Sequence, residues 1–166
     1  ETDNLFLNLA NSVSDDSAYW NDTAPNANTF TIGSGGGETN FPSGDGYVAY
    51  CFKAIPGYSK FGGYIGNATA AGPFVYTGFR PAFLLVKNSN TSNYWRMWVD
   101  DGDGNIEKNG VYPNDAAIED TPTNWYVDWY ANGFKVRGSQ NEMNGDGNNI
   151  IYMAFAEQPF KYANAR

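Results

Sequence analysis

The chain has no histidine and a single cysteine. Without imidazole it lacks the usual general base near neutral pH, the imidazole metal ligand and every Ser-His or Cys-His catalytic pair. Cys51 alone can form neither an intrachain disulfide nor a multi-cysteine zinc site. Within Tyr47-Val48-Ala49-Tyr50-Cys51-Phe52 it reads as a small buried apolar residue of a strand. Positive charge is also scarce: 10 Lys and Arg stand against 18 Asp and Glu, for a net charge of −8, and the basic residues are scattered singly. No basic stripe is available to neutralise a phosphate backbone, so nucleic acid is not an expected partner. There is neither an apolar run of about 18 residues nor an apolar signal segment, so membrane insertion is not expected either. The sequence begins at Glu1 rather than Met, which reads as a processed product or a segment of something longer.

What is abundant points to strands and tight turns. The 166 residues include 12 Tyr, 11 Phe, 5 Trp and 19 Gly, with many Asn, Asp, Ser and Thr. That length can bury a core without disulfide staples. Strands are expected at Gly72 to Thr77, Ala82 to Lys87, Tyr94 to Val99, Trp125 to Tyr130, Phe134 to Arg137 and Ile150 to Ala156, each bounded by Gly, Asn, Asp or Pro. Only Asn114 to Asp120 could support a helical turn, which Pro122 would stop. Short strands at such spacing indicate an all-β sandwich or barrel.

A partial internal repeat adds detail. Asn28-Thr29-Phe30-Thr31-Ile32 resembles Asn132-Gly133-Phe134-Lys135-Val136, and Tyr47 to Phe52 resembles Tyr152 to Glu157, each pair separated by a Gly/Asn/Asp turn. The offset is about 105 residues, the constancy expected of a period. On this reading residues 1–53 are a half-unit and residues 58–162 a complete unit, about one and a half copies. Phe30 should then overlay Phe134, and Tyr47 and Ala49 should overlay Tyr152 and Ala154.

Three segments carry a family likeness: Tyr58-Ser59-Lys60-Phe61-Gly62-Gly63-Tyr64, Gly72 to Phe83, and the closing Tyr152 to Phe160. They resemble a repeat unit of large virion proteins of tailed bacteriophages, many of them marine. The resemblance covers nearly the whole chain. It implies a tail-fibre, receptor-binding or other virion-surface role, an extracellular location on the particle, and an antiparallel β-sandwich of lectin-like or jelly-roll-like form. It brings no catalytic residues. Where relatives show a basic segment after the Phe-Leu-Leu-Val-Lys strand, this chain has Asn88-Ser89-Asn90-Thr91-Ser92-Asn93, so a charge-dependent contact there does not carry over.

Two candidate sites follow from the residues. Asp100-Asp101-Gly102-Asp103-Gly104-Asn105-Ile106-Glu107 begins like an EF-hand loop, but Ile106 stands where Gly is required and Tyr112 where the bidentate Glu belongs. Asp101, Asp103 and Asn105 could hold Ca²⁺ only if other oxygens completed the shell; the alternative is an acidic hairpin turn. The aromatic-rich strands supply the second candidate. Alternation sets Trp95 and Met97 opposite Tyr94, Arg96 and Trp98, and Trp125, Val127 and Trp129 opposite Tyr126, Asp128 and Tyr130. Trp125 and Trp129 are read as core. Tyr94 and Trp98, with Asn88, Asn90 and Asn93, are read as an exposed recognition site, because flat rings beside amides suit sugar faces and hydroxyls.

The expected function is therefore non-covalent recognition of a host surface glycan or protein by a homo-oligomer, with a trimer implied by the resemblance, assembled with other virion proteins. A ligand-free module, either capsid decoration or a fibre spacer, is the alternative. A polysaccharide depolymerase working through a carboxylate pair is the third reading, with Asp128 and Glu157 as its candidate members. The chain is not expected to be an enzyme.

Overall fold

The structure, a computed structural model, describes residues 3–34, 39–40, 44, 46–102, 106–107, 109–116 and 125–157. The chain divides into two compact units, one of Glu1–Phe6 with Val13–Phe52 and the other of Leu7–Ser12 with Lys53–Arg166.

In the first unit β1 (Asp3–Asn4) and β2 (Ser14–Asp15) form a short antiparallel ladder with Asn4 opposite Ser14. A single helical turn follows, α1 (Ser17–Trp20), because the Asp16 carboxylate caps it by accepting from the Ala18 N–H at 2.9 Å. Asn21 ends it in the left-handed region. Gly33 donates its N–H to the Tyr19 carbonyl at 2.7 Å, and a Cβ on it would lie 2.2 Å from the Ala18 oxygen, so only glycine permits this approach. Aromatic edge contacts join Phe6 to Tyr19 at 5.6 Å and Trp20 to Phe30 at 6.3 Å between ring centroids.

The segments that the repeat pairs with strands of the other unit are not strands here. Asn28 to Ile32 and Tyr47 to Phe52 belong to no ladder among the described residues. Cys51 is correspondingly exposed, which corrects the expectation of a buried strand residue: with no paired strand to place it in, nothing turns its side chain inward.

The second unit is an antiparallel β-sandwich. Its strands are β3 (Ser59–Ile65), β4 (Phe74–Tyr76), β5 (Pro81–Asn88), β6 (Arg96–Val99), β7 (Ile106–Glu107), β8 (Gly110–Val111), β9 (Trp125–Tyr130), β10 (Gly133–Gly138) and β11 (Asn149–Ala156). The one-turn helix α2 (Asn141–Asn144) precedes β11. One sheet has the order β4-β10-β9-β7 and the other β3-β11-β5-β6-β8. All six expected strands are present, whereas β3, β7 and β8 were not foreseen. The helical turn expected at Asn114 to Asp120 falls largely outside the described residues.

Period-two alternation builds the core between the sheets. Val75, Val127, Trp129, Phe134 and Val136 face inward from one sheet, and Tyr64, Leu84, Val86, Trp98, Ile150, Tyr152 and Ala154 from the other. Phe134 meets Tyr152 edge-on at 5.5 Å and Tyr64 at 6.1 Å, bridging the layers. The Tyr64 hydroxyl donates to the Met143 carbonyl at 2.7 Å, so its polar end is satisfied inside the core. Trp129 is core, as read from the sequence; the side chain of Trp125 lies outside the described residues.

Candidate functional site

Trp98 is not a surface residue. It is 0% exposed and packs inward from β6, directly across from Leu84 of β5 on one side and Gly110 of β8 on the other. A Cβ on Gly110 would stand 3.0 Å from the Trp98 indole nitrogen, so the glycine makes room for the ring. Arg96, on the same face of β6 and of a residue type usually found at the surface, is itself buried. The guanidinium lies over the Tyr112 ring at 4.0 Å and the Trp98 ring at 5.7 Å, a stacking that suits a weakly hydrated planar cation. As a ligand contact Trp98 is therefore corrected to a core residue.

The Asn-rich loop is used mainly to hold itself. Asn88 is fully buried and donates to the Asn141 carbonyl at 2.6 Å. The Asn90 carboxamide oxygen accepts from the Asn149 N–H at 2.6 Å, and Asn93 donates to the Thr91 hydroxyl at 2.7 Å. Beneath them Lys87, also buried, donates to the carbonyls of Asn88 at 2.7 Å and Thr91 at 3.0 Å. Desolvation lowers its pKa to about 8. The loop is thus brought together with α2 and the start of β11. Asn90 and Tyr94 stay exposed, Asn93 is half-buried, and Tyr94 meets Tyr112 edge-on at 5.4 Å.

The acidic loop offers little that can be read as a cation site. Asp101 is exposed, and its carboxylate accepts from the Asn109 amide at 3.2 Å. Asp103 and Asn105 lie outside the described residues, among which no cluster of three metal-binding side chains occurs.

A surface that sequence reasoning passed over is better formed. On the outward face of the β4-β10-β9-β7 sheet, Tyr76, Gly133 and Tyr130 stand directly across from one another, as do Phe74, Lys135 and Asp128. Phe74 is 47%, Tyr76 60% and Tyr130 39% exposed. Only glycine fits between the two tyrosines: a Cβ on Gly133 would stand 2.2 Å from the Val75 carbonyl oxygen and 2.9 Å from the Phe74 ring. Phe74 meets Tyr130 edge-on at 5.6 Å, and the Lys60 ammonium sits 5.4 Å from the centre of the Tyr76 ring. Beside them the Arg137 guanidinium donates to the buried Asp128 carboxylate at 2.6 Å, a contact that holds Arg137 above the ordinary arginine pKa. The signal was legible: alternation puts Tyr126 and Tyr130 opposite the core residues, and the same rule applied to Phe74-Val75-Tyr76 turns two rings outward.

The two carboxylates considered for catalysis are engaged on different sheets. Asp128 pairs with Arg137 on β9 and β10, whereas Glu157, just after β11, lies 3.6 Å from Arg80, which also pairs with Asp100.

The profile of the family described as a domain of unknown function, DUF7483, matches residues 1–159. The chain belongs to that family. The match runs continuously through both compact units, so the aromatic sheet face and the first unit fall within one family domain. No curated protein and no solved structure matches the chain. No helix among the described residues is long and apolar enough to cross a membrane.

Proposed function

We propose that the protein is a phage-type virion-surface module, a tail-fibre or receptor-binding segment that recognises a host surface glycan non-covalently. The observation that carries this reading is the trio Phe74, Tyr76 and Tyr130, exposed together on one rigid sheet face around Gly133. Aromatic faces take up the C–H face of a sugar ring, and Lys135 and Arg137 supply hydrogen-bonding groups beside them. Strand-borne side chains are pre-organised, which limits the ordering cost of binding. Single sugar contacts are weak, so the reading includes a homo-oligomer, a trimer by resemblance, in which linked sites raise avidity by roughly 10²- to 10⁴-fold.

Tyr76→Ala combined with Tyr130→Ala should weaken binding to host cells or purified host polysaccharide at least about tenfold, equivalent to about 1.4 kcal/mol. The unfolding temperature should stay close to that of the parent, because both rings are exposed. Attachment that survives this double change overturns the site.

A second reading is a ligand-free capsid or fibre module. It is favoured by the other outward face, where Phe155 meets Phe61 at 5.9 Å and Phe83 and Tyr58 at 5.8 Å each, an aromatic cluster suited to a subunit contact. Phe61→Ser with Phe155→Ser would then dissociate the oligomer in light scattering, while the parent protein itself would show no binding to host polysaccharide.

A further inference from the structure

Three cations gather around the exposed rings of Phe74, Tyr76 and Tyr130 on the β4-β10-β9-β7 sheet. Lys135 and Arg137 alternate outward with Gly133 along β10, and the Lys60 ammonium reaches the Tyr76 ring from β3 at 5.4 Å. Against them this face carries one carboxylate among the described residues, that of Asp128, which lies across from Lys135 and already accepts from the Arg137 Nε–H at 2.6 Å. Lys60 and Lys135 have no carboxylate within ion-pair distance among the described residues. Only folding creates this grouping, since the 10 basic residues stand singly in a chain of net charge −8. Elsewhere in the sandwich Lys87 and Arg96 are buried, and Arg80 is paired with Asp100 and Glu157. An acidic protein thus turns two unpaired ammoniums toward the face where it exposes aromatic rings.

We propose that this face takes a negatively charged glycan, one whose sugars carry an oxyanion, either carboxylate or sulfate, beside an apolar ring face. The inference rests on the sheet-face reading and names its ligand class. A pyranose lying across Gly133 between Tyr76 and Tyr130 would set a charged substituent toward Lys135, two residues along β10 and roughly 7 Å away at the rise of a strand. The Arg137 Nε–H is committed to Asp128, which leaves the two terminal nitrogens of the guanidinium to form charge-assisted hydrogen bonds to the same oxyanion. A neutral glycan would gain nothing from the two unpaired ammoniums. A single-stranded nucleic acid would meet the same cations, but Phe74 and Tyr130 stand at 89° to each other and offer no coplanar platform for successive bases.

Biolayer interferometry of the full chain on immobilised polygalacturonate, its fully methyl-esterified form, dextran sulfate, dextran and oligo-dT tests the assignment. At least one anionic glycan should bind at least about tenfold more tightly than its neutral counterpart. That binding should weaken as salt rises from about 0.1 to about 1 M, because the screening length falls from about 10 to about 3 Å. A preference for polygalacturonate alone identifies the oxyanion as carboxylate, and one for dextran sulfate alone identifies it as sulfate. Lys60→Gln with Lys135→Gln should remove most of the preference and leave the unfolding temperature close to that of the parent, because both side chains are partly exposed. If that pair does not fold, Lys135→Glu carries the same test. The proposal is overturned if neither anionic glycan binds, if the neutral polymers bind as tightly, if the folded lysine variant keeps the full preference, or if oligo-dT binds more tightly than every glycan. Host-cell attachment that is lost in Tyr76→Ala with Tyr130→Ala but unchanged by the lysine substitutions overturns the charged ligand and leaves the sheet face standing. Attachment unchanged by the tyrosine substitutions overturns both.

Discussion

Trp98 and Lys87 show how burial decides what a side chain is for. An indole with no exposed surface, wedged between Leu84 and Gly110, contributes through packing. Trp98→Ala should therefore cost about 3–5 kcal/mol, the usual range for an aromatic-to-alanine change in a core. Calorimetry should show this as a large fall in unfolding temperature, and a melt within a degree of the parent would contradict it. Lys87 makes a pH prediction. Its pKa falls from 10.5 to about 8 on folding, so between those values the unfolded chain binds more protons and stability rises with pH. Burial raises the Tyr64 and Tyr152 pKa values above 10.0, so their contribution is complete below pH 10.0 and is lost as pH rises beyond it. Denaturant titrations from pH 7 to 10 should show stability growing in the parent relative to Lys87→Met, with most of the gain above about pH 8. A difference that stays constant across that range would refute the assignment.

At the scale of elements, the turn between α2 and β11 is held by one amide. Asn144, fully buried, donates to Gly138 O at 2.7 Å, Thr69 O at 2.9 Å and Asn67 Oδ1 at 3.1 Å, and its Oδ1 accepts from the Asn67 N–H at 2.8 Å. It therefore ties the loop after β3 to the end of β10. Asn144→Ala would strand several of these groups, and we expect a loss of about 2–4 kcal/mol. Hydrogen exchange should quicken at Asn67 and at Ala68, whose N–H bonds the Asn144 carbonyl at 2.8 Å; unchanged exchange there would contradict the role. The sequence places a Gly/Asn/Asp turn between the Phe134 and Tyr152 segments, because those residue types are turn formers wherever they occur. That one of its amides is a buried junction followed only from where β3 and β10 end.

For the whole molecule, the hydrophobic core cluster formed by the described residues lies between Tyr64 and Ala156. Residues 53–166 expressed alone should therefore fold with a cooperative thermal transition and β-type circular dichroism. A chain that stays unfolded would show that residues 1–52 are needed for the sandwich to form. The sheet-face reading can be tested on this shorter chain directly, since it carries Phe74, Tyr76 and Tyr130.

The residues by themselves determined the class of fold. Short aromatic and branched runs between Gly, Asn and Asp turns dictate antiparallel strands, and alternation assigns Trp129, Phe134 and Val136 to one face, because the strand period is a local backbone property. Strands such as Lys60-Phe61-Gly62-Gly63, with little side-chain signal of their own, formed because β11 offers them a ladder, which no local pattern announces. Which face of each strand is covered is likewise a tertiary decision. Arg96 and Lys87 look like surface residues and are buried, the first by ring stacking and the second by two carbonyls. Trp98 went inward with Arg96, while Tyr76 and Tyr130 were left outward on either side of Gly133, since only the packing of two sheets determines which rings remain exposed.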